Sequence, residues 1–184
     1  MAIETLRPNA AGDETAISTQ VPSSDAHWDK VDEVVADDLT TMVQTESTSY
    51  QRDLYNLPSS SGSGTINKIT VHFRCRMWGA DVEHCKASIK SDSTVTDGAE
   101  KSFVSNFDFQ DFSQEWATNP ADSQAWEWAD IDALQIGVSL LGGFDPPNLH
   151  FYASCTQVYV EVDYTPSAAV PRHAFINFQG PGIF

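Results

Sequence analysis

The sequence predicts an all-β protein, an antiparallel jelly-roll-type β-sandwich with one short helix and extended terminal arms. Apolar and polar residues alternate in several runs, turn residues separate these runs, and no long helical pattern lies between them. This arrangement is typical of a sandwich rather than of a fold in which strands alternate with helices. The 184-residue chain, 41% of it apolar, is long enough to bury one core.

We expect the sandwich domain at 25–164, preceded by an N-terminal arm at 1–24 and followed by a C-terminal extension at 165–184. The arm is poor in large apolar residues, apart from 3–8, which has the pattern of a first strand. Residues 25–39 combine partial helical spacing with Asp residues typical of turns. One short helical turn is expected there.

Two β-rich runs, 40–45 and 50–57, are predicted as strands. The Ser- and Gly-rich residues 58–64 that follow have the composition of a flexible linker. Strand patterning continues on both sides of them, so we interpret them as a surface loop within one domain.

The clearest strand covers residues 66–78. Strict alternation over such a length indicates a strand that is buried on one side only. Its inward residues are Ile69, Val71, Phe73, Cys75 and Met77, and its outward residues are Thr70, His72, Arg74, Arg76 and Trp78. Residues 80–90 repeat the pattern after Gly79 and are predicted as the hairpin partner of this strand.

Four more strand-like runs complete the predicted sandwich, at 101–109, 112–117, 134–140 and 151–164. Between the second and third of them the apolar spacing changes from two to about 3.6 residues. A short helix that caps one open end is therefore predicted from three residues: Trp128, Ile131 and Leu134.

The charge of the chain excludes some partners. A formal net charge of −16 repels the phosphate backbone, so nucleic acid is not expected as a direct partner. No apolar run reaches the length of about 18 residues that a spanning helix needs, and no membrane partner is expected. The first five residues lack the basic and apolar regions of a cleaved signal peptide, so the chain as written is not expected to be secreted by that route.

No catalytic constellation is present, and we predict no enzyme, no catalytic residue and no cofactor. The five histidines are scattered without metal-ligand spacing, and nucleotide-binding and nucleophile motifs are absent. The three cysteines, Cys75, Cys85 and Cys155, cannot all pair within one chain and are expected to be buried thiols. A glycan-cleaving enzyme would need two carboxylates facing each other across a groove, which a sequence cannot show.

Clustered carboxylates raise the question of a metal ion. They occur at Asp32–Glu33, at Asp37–Asp38 and at Asp130 with Asp132. Loop carboxylates are ligands that calcium prefers, but the EF-hand spacing is missing, and a solvated surface or a helix cap is the simpler interpretation. We therefore predict no metal site, with structural calcium as the alternative.

Two sets of residues are candidates for binding. Phe175, Ile176, Phe178 and Phe184 follow the last strand, and they are predicted either to fold back on the same chain or to dock on a neighbouring subunit. The second set would stack on sugar rings if exposed, although packing in the core is the simpler interpretation. It consists of Trp78, Trp116, Trp126 and Trp128.

Four segments resemble a jelly-roll family encoded among tailed-phage and prophage virion structural genes. Together they account for most of residues 4–164 and leave the C-terminal extension outside: Thr5–Asn9, His27–Thr41, Thr118–Val138 and Cys155–Tyr164. The resemblance implies a component of a virus particle and offers no catalytic motif to transfer.

The leading hypothesis is therefore a non-enzymatic phage virion protein, a capsid decoration subunit or a tail component assembled in the host cytoplasm. Its partners would be other virion proteins and copies of itself, held through the sandwich and the terminal arms. The alternative is a carbohydrate-binding module or a host-recognition adhesin that uses an aromatic sheet face.

Overall fold

The structure is a computed structural model that describes residues 1–78, 84–103, 107–145 and 149–168. A 3-10 turn lies at His27–Lys30 and a six-residue helix, α1, at Trp128–Ala133. The strands of the described ranges are β1 (Ala2–Leu6), β2 (Ala10–Thr15), β3 (Thr19–Val21), β4 (Met42–Thr45), β5 (Gln51–Asn56), β6 (Gly64–Trp78), β7 (His84–Ser91), β8 (Thr94–Asp97), β9 (Lys101–Ser102), β10 (Gln110–Trp116), β11 (Gln135–Leu141), β12 (Gly143–Asp145) and β13 (Leu149–Pro166).

These strands form two antiparallel sheets. The larger sheet has the order β10-β6-β13-β4-β3, with β1 and β12 also paired to β13. The smaller sheet has the order β2-β5-β11-β7-β8, with β9 paired to β7. The predicted antiparallel jelly-roll-type sandwich is confirmed.

The core lies between the two sheets and collects the inward residues of both. Burying each of the large apolar side chains (Val, Leu, Ile or Phe) contributes roughly 1.5–3 kcal/mol. The larger sheet supplies Ile69, Val71, Phe73, Val158, Val160 and Val162, and the smaller sheet supplies Ala87, Ile89, Ile136, Val138 and Leu140. The predicted alternation of β6 is confirmed, because its five predicted inward residues are all buried.

Three buried thiols join this core, as predicted. Cys75 and Cys155 are paired directly across β6 and β13, and Cys85 lies on β7 in the opposite sheet. Burial raises the pKa of the Cys75 thiol well above its usual value, and contacts with Cys155 and Cys85 add to the effect. A neutral buried thiol behaves as a small apolar group, so these cysteines are packing residues.

The prediction for residues 1–24 is an N-terminal arm with a possible first strand at 3–8. The strand forms as β1, but β2 and β3 also belong to the sheets, so the segment does not form an extended arm. This segment contributes β1, which pairs with β13 in the larger sheet, and β2, which pairs with β5 in the smaller one. It also contributes β3, which pairs with β4. Backbone hydrogen bonds hold these strands in the sheets. Such bonds do not depend on large apolar or β-branched side chains, so the sequence pattern of a segment rich in Ala, Thr, Asp and Glu does not reveal them.

The prediction that 80–90 is the hairpin partner of β6 is also wrong. In the structure β7 pairs with β11, β8 and β9 in the smaller sheet, while β6 pairs with β10 and β13. Alternation tells which side of a strand is buried, but two strands that face each other across a sandwich have the same pattern as two that pair.

Among the described residues of the predicted strand at 101–109, strand pairing is limited to Lys101–Ser102. Phe107 has a φ of 75°, outside the β region of backbone conformations. The short helix is confirmed as α1, which begins with a capping box between Glu127 and Asp130. None of the described helices has the length and apolarity that crossing a bilayer would require.

Candidate functional site

The outer face of the larger sheet carries the candidate site. Strand β6 presents His72, Arg74, Arg76 and Trp78 on this face, two residues apart. Because alternate residues of a strand stand side by side, these four planar side chains form a line about 7 Å apart per step.

One end of that line is a stack of guanidinium groups and aromatic rings, called here the guanidinium–aromatic row (Arg74, Phe109, Arg76, Trp78 and Phe107). The Arg76 Cζ lies 4.8 Å from the centroid of the Phe109 ring and 4.9 Å from that of Trp78. The Arg74 Cζ lies 5.7 Å from the centroid of the Phe109 ring. Phe107 contacts Trp78 edge to face, with ring centroids 5.5 Å apart.

The row ends in two exposed rings. Trp78 is 49% exposed and Phe107 is 54% exposed. Two large apolar side chains in contact with each other and with solvent form a continuous apolar patch rather than scattered surface residues. The patch offers the faces and edges of rings to a ligand.

A second stack lies farther along the same face. The rings of His72 and Tyr159 are nearly parallel, with centroids 4.7 Å apart, and Arg7 lies 4.5 Å over the Tyr159 ring. The His72 Nε2 lies 3.2 Å from the Glu161 carboxylate. A depression between Tyr159, His72 and Gln157 has a volume of only about 50 Å³, too small for a ring to enter. A ligand on this face would lie across the surface.

The two arginines of the row have different electrostatic surroundings. Arg74 donates from Nε and Nη2 to the Asp38 carboxylate, at 2.7 and 3.0 Å, and from Nη1 to Asp111 at 3.1 Å. These hydrogen bonds raise the pKa of Arg74. Arg76 is 8% exposed and forms no ion pair with any described residue, and its buried Nε–H finds no acceptor. Burial lowers the pKa of Arg76.

Asp38 reaches Arg74 from an acidic segment, residues 31–41, that lies against the bulge of β13. The bulge falls between Cys155 and Gln157 and frees their neighbours from the strand ladder. The Val158 amide donates to the Val31 carbonyl at 2.8 Å, and the Thr156 hydroxyl donates to the Thr41 carbonyl at 2.8 Å. The acidic segment therefore lies over the middle of the sheet and contacts the guanidinium–aromatic row at Arg74.

The structure places the four predicted sugar-stacking residues in different surroundings. Trp78 is exposed on the outer face. Trp126 is 4% exposed, and its indole N–H donates to the Trp116 carbonyl at 3.0 Å, so no ring can stack on it. Trp116 and Trp128 are half-buried against the core, and Trp128 donates to the Gly64 carbonyl. The four do not form one platform.

The other predicted residues give no second site. Phe175, Ile176, Phe178 and Phe184 lie outside the described residues. Among the described ones, no three His, Cys, Asp or Glu side chains are grouped so that they could hold a metal ion. Of the clustered carboxylates, Asp38 pairs with Arg74, while Asp132 accepts from the amide and hydroxyl of Ser60, which lowers the pKa of Asp132.

A cleft of about 340 Å³ lies beside the start of α1, lined by Asp122, Gln124, Ala125, Glu127 and Asp130. Its carboxylates already have local partners. Asp122 accepts from the Gln124 amide and Asp130 from the Glu127 amide, both at 2.8 Å. These groups stabilise the loop and the helix start, so we assign the cleft no ligand.

Sequence reasoning missed Arg76, Phe107 and Phe109. A signal for Arg76 was present, because planar side chains occupy four successive outward positions of one predicted strand. No such signal marked the two phenylalanines, which lie within the predicted strand at 101–109. Phe107 lies against the end of β6, where its amide donates to the Met77 carbonyl at 3.1 Å, and Phe109 directly precedes β10.

No family model and no curated protein matches the sequence. Among solved structures, one described as "CBM4 structure and function" matches with a TM-score of 0.40 and 11% identity, over 67% of this chain and 83% of that one. Another, described as "Family 16 Carbohydrate Binding Module-2", matches with a TM-score of 0.39 and 7% identity, over 66% of this chain and 76% of that one. The sandwich itself is established by the strand pairing given above.

Proposed function

We propose that this chain is a non-catalytic carbohydrate-binding β-sandwich that holds a saccharide on the outer face of its larger sheet. The observation that carries the proposal is the half-exposed Trp78 in contact with the half-exposed Phe107. An indole ring presents a broad apolar face, and sugar rings have an apolar face of C–H groups that stacks on it. The surrounding polar groups can bind the hydroxyls.

The surface around Trp78 suits an extended saccharide better than an enclosed small molecule. The face is open, and ring systems recur along it from the Trp78–Phe107 contact to the His72–Tyr159 stack. Hydrogen-bonding groups lie between them on β6 and β13, so a chain of sugar rings meets alternating apolar and polar contacts. The virion role implied by the resemblance stays a prediction, because its docking residues lie outside the described part of the chain.

The test is a glycan array followed by titration calorimetry on the strongest binder. Trp78→Ala should weaken binding at least about tenfold, the equivalent of about 1.4 kcal/mol of ring contact. The fold should survive, because Trp78 lies at the surface at the end of β6. Thermal unfolding of the variant checks this point.

Val95→Ala is the matched control. Val95 is also an exposed apolar residue on a strand, but it lies on β8 in the smaller sheet. Its variant should bind glycans as the wild type does. Binding that survives Trp78→Ala, or an array on which the wild type binds no glycan, would show that the proposed function is wrong.

A further inference from the structure

Arg76 points to the class of saccharide that this surface binds, an inference that rests on the proposed function. Arg76 as a residue is 8% exposed, its buried Nε–H has no acceptor, and no hydrogen bond joins its side chain to another described residue. Arg52 pairs with two carboxylates, whereas Arg76 pairs with none among the described residues. Arg74, two residues earlier on the same strand, pairs with two carboxylates, Asp38 and Asp111.

The ring contacts of Arg76 do not replace an anion. Cation–π contacts with Trp78 and Phe109 stabilise the guanidinium, but they satisfy none of its N–H donors. A buried charged donor without an acceptor is unfavourable, and the fork of a guanidinium matches a carboxylate through two parallel hydrogen bonds. An acceptor of that shape would therefore complete the hydrogen bonds that no described residue makes with Arg76.

The position of Arg76 relates this acceptor to the sugar ring. Arg76 and Trp78 are successive outward residues of β6, and the guanidinium lies directly against the indole ring. A group held by Arg76 would therefore belong to the ring stacked on Trp78 or to the next ring of the same saccharide. We propose that the surface binds an acidic saccharide, with Arg76 pairing with the carboxylate of a uronic acid or sialic acid beside the ring stacked on Trp78.

The net charge of −16 acts against an anionic ligand at long range. Near physiological ionic strength, however, the Debye length is about 8 Å, so distant carboxylates are screened while a contact with a buried guanidinium is not. Arg74 already pairs with two carboxylates, whereas Arg76 forms no ion pair with a described residue and interacts with Asp38 at longer range. The preference for an acid should therefore come from contact and persist at that salt concentration.

The experiment compares acidic saccharides with their own methyl esters, which keep the ring and remove the charge. The probes are trisaccharides of galacturonate, glucuronate and mannuronate, each with its ester, and sialyllactose with its ester. Titration is carried out on the full chain near physiological salt. At least one acid should bind roughly ten- to a hundredfold more tightly than its ester, the range of a charged hydrogen-bonded pair.

Two substitutions assign that difference to Arg76. Arg76→Met removes the charge and keeps most of the side-chain volume, and it should reduce the acid-to-ester ratio to about one. Arg76→Lys keeps a point charge without the fork and should retain part of the ratio. If thermal unfolding shows that the Met variant does not fold, the Lys variant and the wild-type ester comparison still decide the question.

The outcomes separate this inference from the proposed function. If acids and esters bind the wild type equally and Trp78→Ala weakens both, the saccharide site stands and the acidic preference is wrong. If an acid is preferred but Arg76→Met keeps the preference, the assignment to Arg76 is wrong. If no probe binds at about 1 mM while neutral glycans do, the acidic class is wrong; if no glycan binds, both proposals are wrong.

Discussion

The outer faces of the two sheets surround their cationic side chains differently. On the smaller sheet Arg52 pairs with Glu14 and Asp97 at 3.0 and 2.9 Å, and Lys90 pairs with Asp13. On the larger sheet Arg76 is held between two aromatic rings and has no carboxylate partner among the described residues. Arg52 and Lys90 on the smaller sheet thus have carboxylate partners, whereas Arg76 on the larger sheet has none among the described residues.

The two faces also differ in packing. Ser88 and Ser139 point outward from the smaller sheet and are nevertheless fully buried, and the Ser88 hydroxyl donates to Asp97 at 2.7 Å. On the larger sheet the outward Trp78 is half exposed. Neighbouring side chains therefore cover the smaller sheet at Ser88 and Ser139, whereas the larger sheet presents an open ring at Trp78.

The largest expected effect tests the close packing of the smaller sheet. Gly137 lies on β11 opposite Leu54, and a Cβ atom there would overlap the backbone carbonyl oxygen of Asp53 on the adjacent strand. Backbone cannot move aside as a side chain can, so Gly137→Ala should lower the free energy of unfolding by about 3 kcal/mol. Urea unfolding measures this change.

Gly98→Ala is the control for that prediction. A Cβ at Gly98 would meet the side chain of Gln114, which can change rotamer. The loss of unfolding free energy should stay below about 1 kcal/mol. Equal losses of unfolding free energy in the two variants would show that the smaller sheet is no more tightly packed than the loop between β8 and β9, which contains Gly98.

The next prediction compares the loss of stability at two buried groups: Asp53, which has hydrogen-bond partners, and Arg76, whose Nε–H has none. Asp53 is fully buried on the inner side of β5, where it accepts from the Ile17 amide at 2.9 Å and lies 2.6 Å from the His27 Nδ1. Asp53→Asn should lower the free energy of unfolding by about 2 kcal/mol, because charged hydrogen bonds are lost. Arg76→Met removes a buried charge without a described partner and should cost less than about 1 kcal/mol or stabilise the fold.

Chemical denaturation of the two variants without ligand measures both values. A loss from Arg76→Met as large as that from Asp53→Asn would show that Arg76 has a strong partner within the protein. The comparison of the two faces would then be wrong.

The smallest effect concerns Glu33 in the acidic segment on the larger sheet. Burial raises the pKa of Glu33 above 4.5, although a hydrogen bond from Thr41 acts in the opposite direction. A carboxyl with a higher pKa in the folded state binds more protons there, so stability falls as the pH rises from about 4.5 through the folded pKa.

Glu33→Gln removes the free-energy cost of ionising this partly buried carboxyl group. The variant should have a higher Tm than the wild type at pH 7 and nearly the same Tm at about pH 3, where Glu33 is protonated in both states. Thermal unfolding across this pH range measures the difference. A Tm difference that does not change with pH would show that the ionisation of Glu33 has no part in it.

Much of the fold could be predicted from the sequence, and less of the site. The alternation in β6 correctly placed Phe73 in the core and Arg76 and Trp78 on the outer face. Of the four tryptophans predicted as sugar-stacking candidates, Trp78 is half exposed in the structure and Trp126 is buried. Local pattern does not distinguish these two environments, because neighbours distant in sequence cover one ring and not the other.

The sequence by itself determined the fold class, the inner and outer sides of β6, the short helix and the burial of the three cysteines. These properties follow from periodicity and from residue polarity, which are local. Only the tertiary structure decided that residues 1–24 belong to both sheets, that β6 and β7 lie in opposite sheets, and that Arg76 is enclosed by Phe109 and Trp78. Strand pairing and ring contacts join residues far apart in the chain, and the same local pattern is compatible with many such arrangements.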